Sequence, residues 1–293
     1  MPVASPTVKA IAWMMGALLS FAAMTVSVRE LTADLHAFQM LFIRSAIGIV
    51  ILLPFLQRQG WGQIRLTHLA GHGLRNVIHF TGQVLWIFGI AVLPLATVSA
   101  LEFTSPLWGG LLAVLFLGEK MNRGRWIAFA LGFVGVLVIV RPGLVEVSDG
   151  ILIMLACAFF FGATGATTKW LTRRETALAI VFFMVVIQTL FGAVASTFVW
   201  APLTWDQAPW LLLLSITGLT AHYCLTRALA GADATFIMPM EFLRLPLVAL
   251  FGYLLYAEAF EAMTLIGAAI IFSGNYASIR HETRAPEKRA VVR

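Results

Sequence analysis

Four ionisable side chains, Arg44, Glu102, Glu241 and Arg244, stand inside otherwise apolar stretches of the chain. A charge at the centre of a lipid-spanning helix costs at least about 2.5–3.5 kcal/mol on insertion scales, so each needs a partner or a task. Glu102 and Glu241 have the chemistry of gating or proton-coupling carboxylates. The bland alternative is a structural clasp, because Glu241 and Arg244 are three residues apart and can pair on one helical face. Arg44 suits an anionic group or an anchor between helices. His79, Gln83 and Trp86 follow at helical spacing and form one stripe. His79 suits proton coupling, Gln83 can hydrogen-bond a solute, and Trp86 can stack on one. His222 shares a second polar stripe with Ser215 and Thr226, while Trp108 lies beside the stripe of Glu102, Ser105 and Gly109. The binding set is therefore Arg44, Gln83, Trp86, Trp108, His222 and Arg244, with Glu102, Glu241 and His79 for gating or proton coupling. Interhelical hydrogen bonds of about 0.6 kcal/mol each are the competing reading of the polar stripes. No third ligand accompanies the two histidines, so no metal site is expected.

The elements that must position these residues are apolar runs at roughly 9–28, 36–56, 72–92, 96–117, 123–140, 149–171, 178–200, 208–229, 235–256 and 261–280. Each is about one bilayer long. Charged residues make up only 12% of the chain, half of what a soluble domain needs for its coat. The expected fold is thus an all-α membrane protein of ten transmembrane helices. Pro106 and Pro246 fall inside the fourth and ninth runs, where a proline frees a carbonyl and permits a kink. With the N-terminus placed in the cytoplasm, 16 of the 20 Lys and Arg fall on the cytoplasmic side, Arg29 and Arg141 opposite, and Arg44 and Arg244 within runs. The positive-inside rule then puts both termini in the cytoplasm. The net charge of +6 reflects this topology and contact with anionic lipid rather than nucleic acid. Residues 281–293 form a basic tail without apolar period and read as disordered.

The chain also repeats itself. At an offset of 139 positions, Met15 meets Met154, Phe21 meets Phe160, Glu102 meets Glu241, Glu119 meets Glu258 and Arg141 meets Arg280. His222 takes the position of Gln83, and Pro106 and Pro246 match within one residue. The expected organisation is a first repeat over 1–143, a second over 144–280, and the tail. Each repeat has five crossings, an odd number, so the second must run inverted to the first around a site near the midplane.

Two stretches carry a resemblance. LFLGEKMNRGRWIAFALGFVGVLVIVRPG (115–143) and LLYAEAFEAMTLIGAAIIFSGNYASIR (254–280) both join an apolar helix, a Glu, a short polar link and a Gly-spaced helix. In this the chain resembles the EamA family of the drug/metabolite transporter superfamily along nearly its whole length. The resemblance implies a ten-helix carrier with helices 1–4 and 6–9 around a cavity and helices 5 and 10 peripheral. PLATVSALEFTSPLW (94–108) and MEFLRLP (240–246) are most similar to the branch that holds uptake carriers for S-adenosylmethionine and riboflavin. Glu119 and Glu258 read as structural, each just before a helix whose positive dipole end it meets. The Gly132–Gly135 spacing and the small residues of the last run allow close packing of runs 5 and 10, and with it a homodimer seam.

The expectation is a secondary-active transporter of a small amphipathic metabolite in a bacterial inner membrane, with proton coupling through the named carboxylates. Riboflavin, S-adenosylmethionine and amino-acid-like solutes fit that description. Its partners are the solute and the bilayer, with no cofactor. An enzyme is not expected, since neither HExxH, GxSxG nor a carboxylate cluster occurs. A channel lacks its selectivity filter, and a membrane sensor that does not transport stays open as the alternative.

Overall fold

The computed structural model describes residues 6–92, 98, 101–102, 104–121, 123–141, 149–256, and, beyond these, 262–263, 266–267, 269–270, 273–274 and 276. Glu258 and the tail 281–293 lie outside the described residues, as do the boundary between the repeats and most of the tenth run. Regular structure among the described residues is entirely helical. The long helices are α1 (Pro6–Leu31), α2 (Ala37–Gln59), α3 (Leu69–Val92), α4 (Ser105–Leu117), α5 (Arg123–Val140), α6 (Asp149–Thr172), α7 (Ala177–Ser196) and α8 (Ala208–Gly231). After α8 come a short helix Ala234–Ile237, a 3₁₀ stretch Met238–Leu243 and α9 (Arg244–Tyr256). Among the described residues, five spans are long and apolar enough to cross a membrane: Thr7–Leu31, Ala37–Gln59, Asp149–Thr172, Ala177–Ser196 and Trp205–Gly231.

Local chemistry sets the helix starts. His36 Nδ1 accepts from Phe38 N at the head of α2, and Thr176 Oγ1 from Ala179 N at the head of α7. Thr204 and Gln207 form a capping box just ahead of α8, satisfying backbone donors that no carbonyl reaches.

The helices pair by close approach of small residues. α1 packs along α8, where Gly16 faces Cys224. α3 packs along α6, where Gly82 faces Phe161 and its carbonyl accepts from Cys157 Sγ at 3.3 Å. α2 packs along α7, with Gly48 on Val185 and Gly192 on the backbone of Phe42. α4 crosses α6 so closely that a Cβ on Gly162 would lie 2.6 Å from Gly109 N and Ser105 O.

The links between helices meet in two groups. At one end, the α1–α2 link touches the α7–α8 link: Gln39 Nε2 donates to Ala201 O at 2.7 Å, and Gln207 Nε2 to Asp34 at 3.4 Å. At the other, the α2–α3 link touches the α6–α7 link through His68–Glu175 at 2.9 Å and Thr176–Gln63 at 2.8 Å.

The outward faces carry Val50, Phe116, Leu190, Val194 and Leu254, each more than 60% exposed. So much bare apolar surface is tolerable only against lipid. The small-residue face of α5 is used inside the chain. A Cβ on Gly274 would meet Leu131 Cβ at 2.8 Å and Ala128 Cα at 3.4 Å, so that seam is intramolecular.

Candidate functional site

A cavity with about 930 Å³ of atom-free space, part of it open to the outside, runs between α1, α2, α3, α4, α6, α8 and the broken ninth run. Its polar lining includes Arg44, Arg75, His79, Gln83, Trp86 and Glu102 on the first half, with His222, Glu241 and Arg244 on the second. The apolar lining includes Phe21, Phe161, Leu225 and Met238.

The break in the ninth run places the acid–base group. Glu241 lies in the 3₁₀ stretch and Arg244 opens α9, while Thr104 turns the chain just after Glu102 and α4 restarts at Ser105. Mid-helix 3₁₀ turns of this kind are recurrent hinge points. Pro106 therefore stands in the first turn of α4, where its missing N–H costs nothing, and Pro246 in the first turn of α9. The expected kinks are chain breaks immediately before the prolines.

Arg244 Nη2 is bonded to Glu102 Oε1 and lies 4.0 Å from Glu241 Oε2. Its main partner is thus the acid of the other half, with Glu241 three residues away as the more distant second acid. Glu102 Oε2 accepts from Trp86 Nε1 at 2.9 Å, and the Phe21 ring lies 5.3 Å from the guanidinium. Glu102, Glu241 and Arg244 are each less than a tenth exposed, where hydrogen bonds between charged groups are at their strongest.

A second cluster occupies the wall formed by α2, α3 and α7. Arg44 Nη2 donates to Gln188 Oε1 at 2.7 Å. With its amide oxygen turned to the guanidinium, Gln83 accepts from Arg44 Nη1 at 2.8 Å and Nη2 at 2.9 Å and donates to Gln188 at 3.2 Å. Gln188 Nε2 also lies 2.8 Å from His79 Nδ1, and the His79 ring meets His222 edge-on at 4.7 Å. Arg75 donates from Nε to Thr168 Oγ1 at 3.0 Å and from Nη1 to Asn76 Oδ1 at 3.2 Å. Gly218 lets the stem of Arg44 pass, since a Cβ there would sit 3.0 Å from Arg44 Cδ.

Eight of the nine residues assigned to binding, gating or coupling by type and spacing line this one cavity. Trp108 does not. It is 39% exposed and packs edge-on against Phe159 at 5.6 Å. Three residues beyond Ser105, which does line the cavity, it lies about 60° further round α4. Glu119 also differs from expectation: it caps the helix at Ala234 rather than the helix that follows it. Its carboxylate accepts from Ala234 N at 2.9 Å and Thr235 N at 2.8 Å. Arg75 and Thr168 also line the cavity, and Gln188 bonds to Arg44 in its wall, three positions that composition and loop counting pass over. Arg75 belongs by count with the basic helix ends, yet it is 1% exposed. Its place four residues before His79, on the stripe of His79 and Gln83, is the signal that finds it.

The EamA-like transporter family matches the sequence twice, over residues 8–141 and 148–280. The chain belongs to the EamA-like transporter family. It is an integral membrane protein and a transporter of small metabolites. Among EamA relatives, the riboflavin transporter of Rhizobium johnstonii is 33% identical over 95% of this chain and 93% of that one. The S-adenosylmethionine uptake transporter of Rickettsia bellii is 27% identical over 95% and 96% of the two chains. The pseudopaline exporter CntI of Pseudomonas aeruginosa is 29% identical over 87% and 90%. A solved crystal structure shares the EamA chain's fold with a TM-score of 0.78 at 15% identity, covering 95% of this chain and 99% of that one.

Proposed function

We propose that this EamA transporter is a secondary-active carrier working by alternating access, with its solute held between two inverted five-helix halves, 1–143 and 144–280. Ten crossings and cytoplasmic termini in a bacterial inner membrane complete the reading. The observation that carries it is the cavity itself: matched segments of both halves contribute polar groups to one shared chamber. The helix contacts support the inversion. α1 pairs with α8 as α6 pairs with α3, and the first link of one half meets the second link of the other at each end. That pattern is what a two-fold axis in the membrane plane produces.

The chemistry of the wall selects an amphipathic solute. Trp86, Phe21 and Phe161 offer faces and edges to a ring, while Gln83, His79 and His222 offer hydrogen bonds. Riboflavin and S-adenosylmethionine, which name two of the relatives, are solutes of this kind. Glu102 and Glu241 flank the hinge beside Arg244, so a proton or a solute cation that competes for either carboxylate would loosen the contact between halves.

Uptake of labelled riboflavin and S-adenosylmethionine into proteoliposomes tests this. The carrier reading expects saturable uptake, stimulation by unlabelled solute on the far side, and a response to an imposed pH gradient. Flux that neither saturates nor shows counterflow overturns the carrier, and indifference to the pH gradient overturns proton coupling.

A further inference from the structure

We infer that Arg44 and Arg75 form an anion subsite at one end of the solute chamber, taking a carboxylate or phosphate group of the transported molecule. The inference rests on the carrier reading and specifies the class of its substrate. Both guanidiniums are buried, with 5% and 1% exposure. Their partners are all neutral: the amides of Gln188, Gln83 and Asn76 and the hydroxyl of Thr168. Among the described residues, neither has a carboxylate in ion-pair range. The two acids of the chamber, Glu102 and Glu241, are gathered about Arg244 instead.

A buried charge without a counter-charge is costly, and here two of the same sign stand close. Gln188 connects them, bonding Arg44 at 2.7 Å and reaching Asn76, the partner of Arg75, at 3.4 Å. Such a cluster serves no packing purpose that a neutral pair would not serve better. It does suit an oxyanion, because the planar guanidinium fork matches carboxylate and phosphate oxygens, and amide acceptors fix its orientation without neutralising it. The anionic group would sit at this wall, and the rest of the solute would extend past Trp86 toward Glu241.

Two pairs of probes, each differing in one charged group, test the subsite in nanodiscs. S-adenosylmethionine against its decarboxylated analogue reads a carboxylate, and riboflavin 5′-phosphate against riboflavin reads a phosphate. The member that bears the extra anionic group should bind about tenfold more tightly in at least one pair, as a single charge-assisted contact implies. Arg44→Gln and Arg75→Gln should each abolish that preference and Arg44→Lys should retain part of it, whereas Trp108→Leu, outside the chamber, should keep it whole. Where a Gln variant does not fold, competition of wild-type binding by sodium acetate or sodium phosphate supplies the reading. Equal affinity within both pairs, a preference that survives the substitutions or ignores the competing salts, or no binding by either anion-bearing probe overturns the subsite. Uptake of the twins that lack the anionic group then decides the carrier reading separately.

Discussion

Arg244 meets acids from both halves of the chain, and the geometry ranks them. Glu102 is its direct partner, whereas Glu241 stands at 4.0 Å. Removing one side of a buried ion pair costs about 3–5 kcal/mol because the other charge is stranded. Glu102→Gln should therefore lower the denaturation midpoint of the purified protein clearly more than Glu241→Gln; equal shifts would mean that Arg244 is shared. Trp86 and Trp108 offer a second contrast. Trp86 donates to Glu102 and lines the chamber, while Trp108 faces outward against Phe159. Losing a hydrogen bond to a charged group costs about 1.5–3 kcal/mol, so Trp86→Phe should cut the initial uptake rate by roughly tenfold or more. Trp108→Leu should leave that rate within about twofold, since no chamber contact is lost. A large transport defect in Trp108→Leu would place that ring in the solute path.

At the scale of elements, two contacts bear on how the helices hold together. A Cβ on Gly162 would strike backbone atoms of Gly109 and Ser105 on α4, which cannot swing aside as a side chain can. Gly162→Ala should lower the melting temperature through an overpacking cost of about 1–3 kcal/mol; an unchanged melting temperature would mean that α4 and α6 are not in contact there. Glu119 ties the end of α4 to the start of the ninth run through two backbone donors. Each buried N–H left without an acceptor costs about 1–3 kcal/mol. Thermal unfolding should thus rank Glu119→Ala below Glu119→Gln, which keeps one acceptor, and Glu119→Gln below wild type. Much of this architecture is legible in the residues alone. Charge within apolar runs points to Glu102, Glu241, Arg44 and Arg244, and helical spacing joins His79, Gln83 and Trp86. What is not legible is where a run stops being α-helical. The 3₁₀ stretch before α9 leaves Glu241 at 4.0 Å from Arg244, and nothing local in MEFLRLP shows that the guanidinium will find an acid 142 positions away. Arg75 is hidden for another reason: near a helix end, an arginine that sets topology and one that lines a chamber look alike in sequence.

At the scale of the molecule, bare apolar faces against lipid leave the interior as the one place for polar chemistry, and the two halves share it. Their sharing depends on the second half standing upside down. Asp34 in the α1–α2 link and Arg173 in the α6–α7 link are repeat-equivalent at the 139-residue offset, and both are exposed. Single cysteines at these positions, in a chain with Cys157 and Cys224 replaced by alanine, report the orientation of each half directly. A membrane-impermeant maleimide applied to intact cells and to inside-out vesicles should label Asp34→Cys only from outside and Arg173→Cys only from the cytoplasmic face. Labelling of both from the same face would contradict the inverted arrangement and the alternating carrier built upon it.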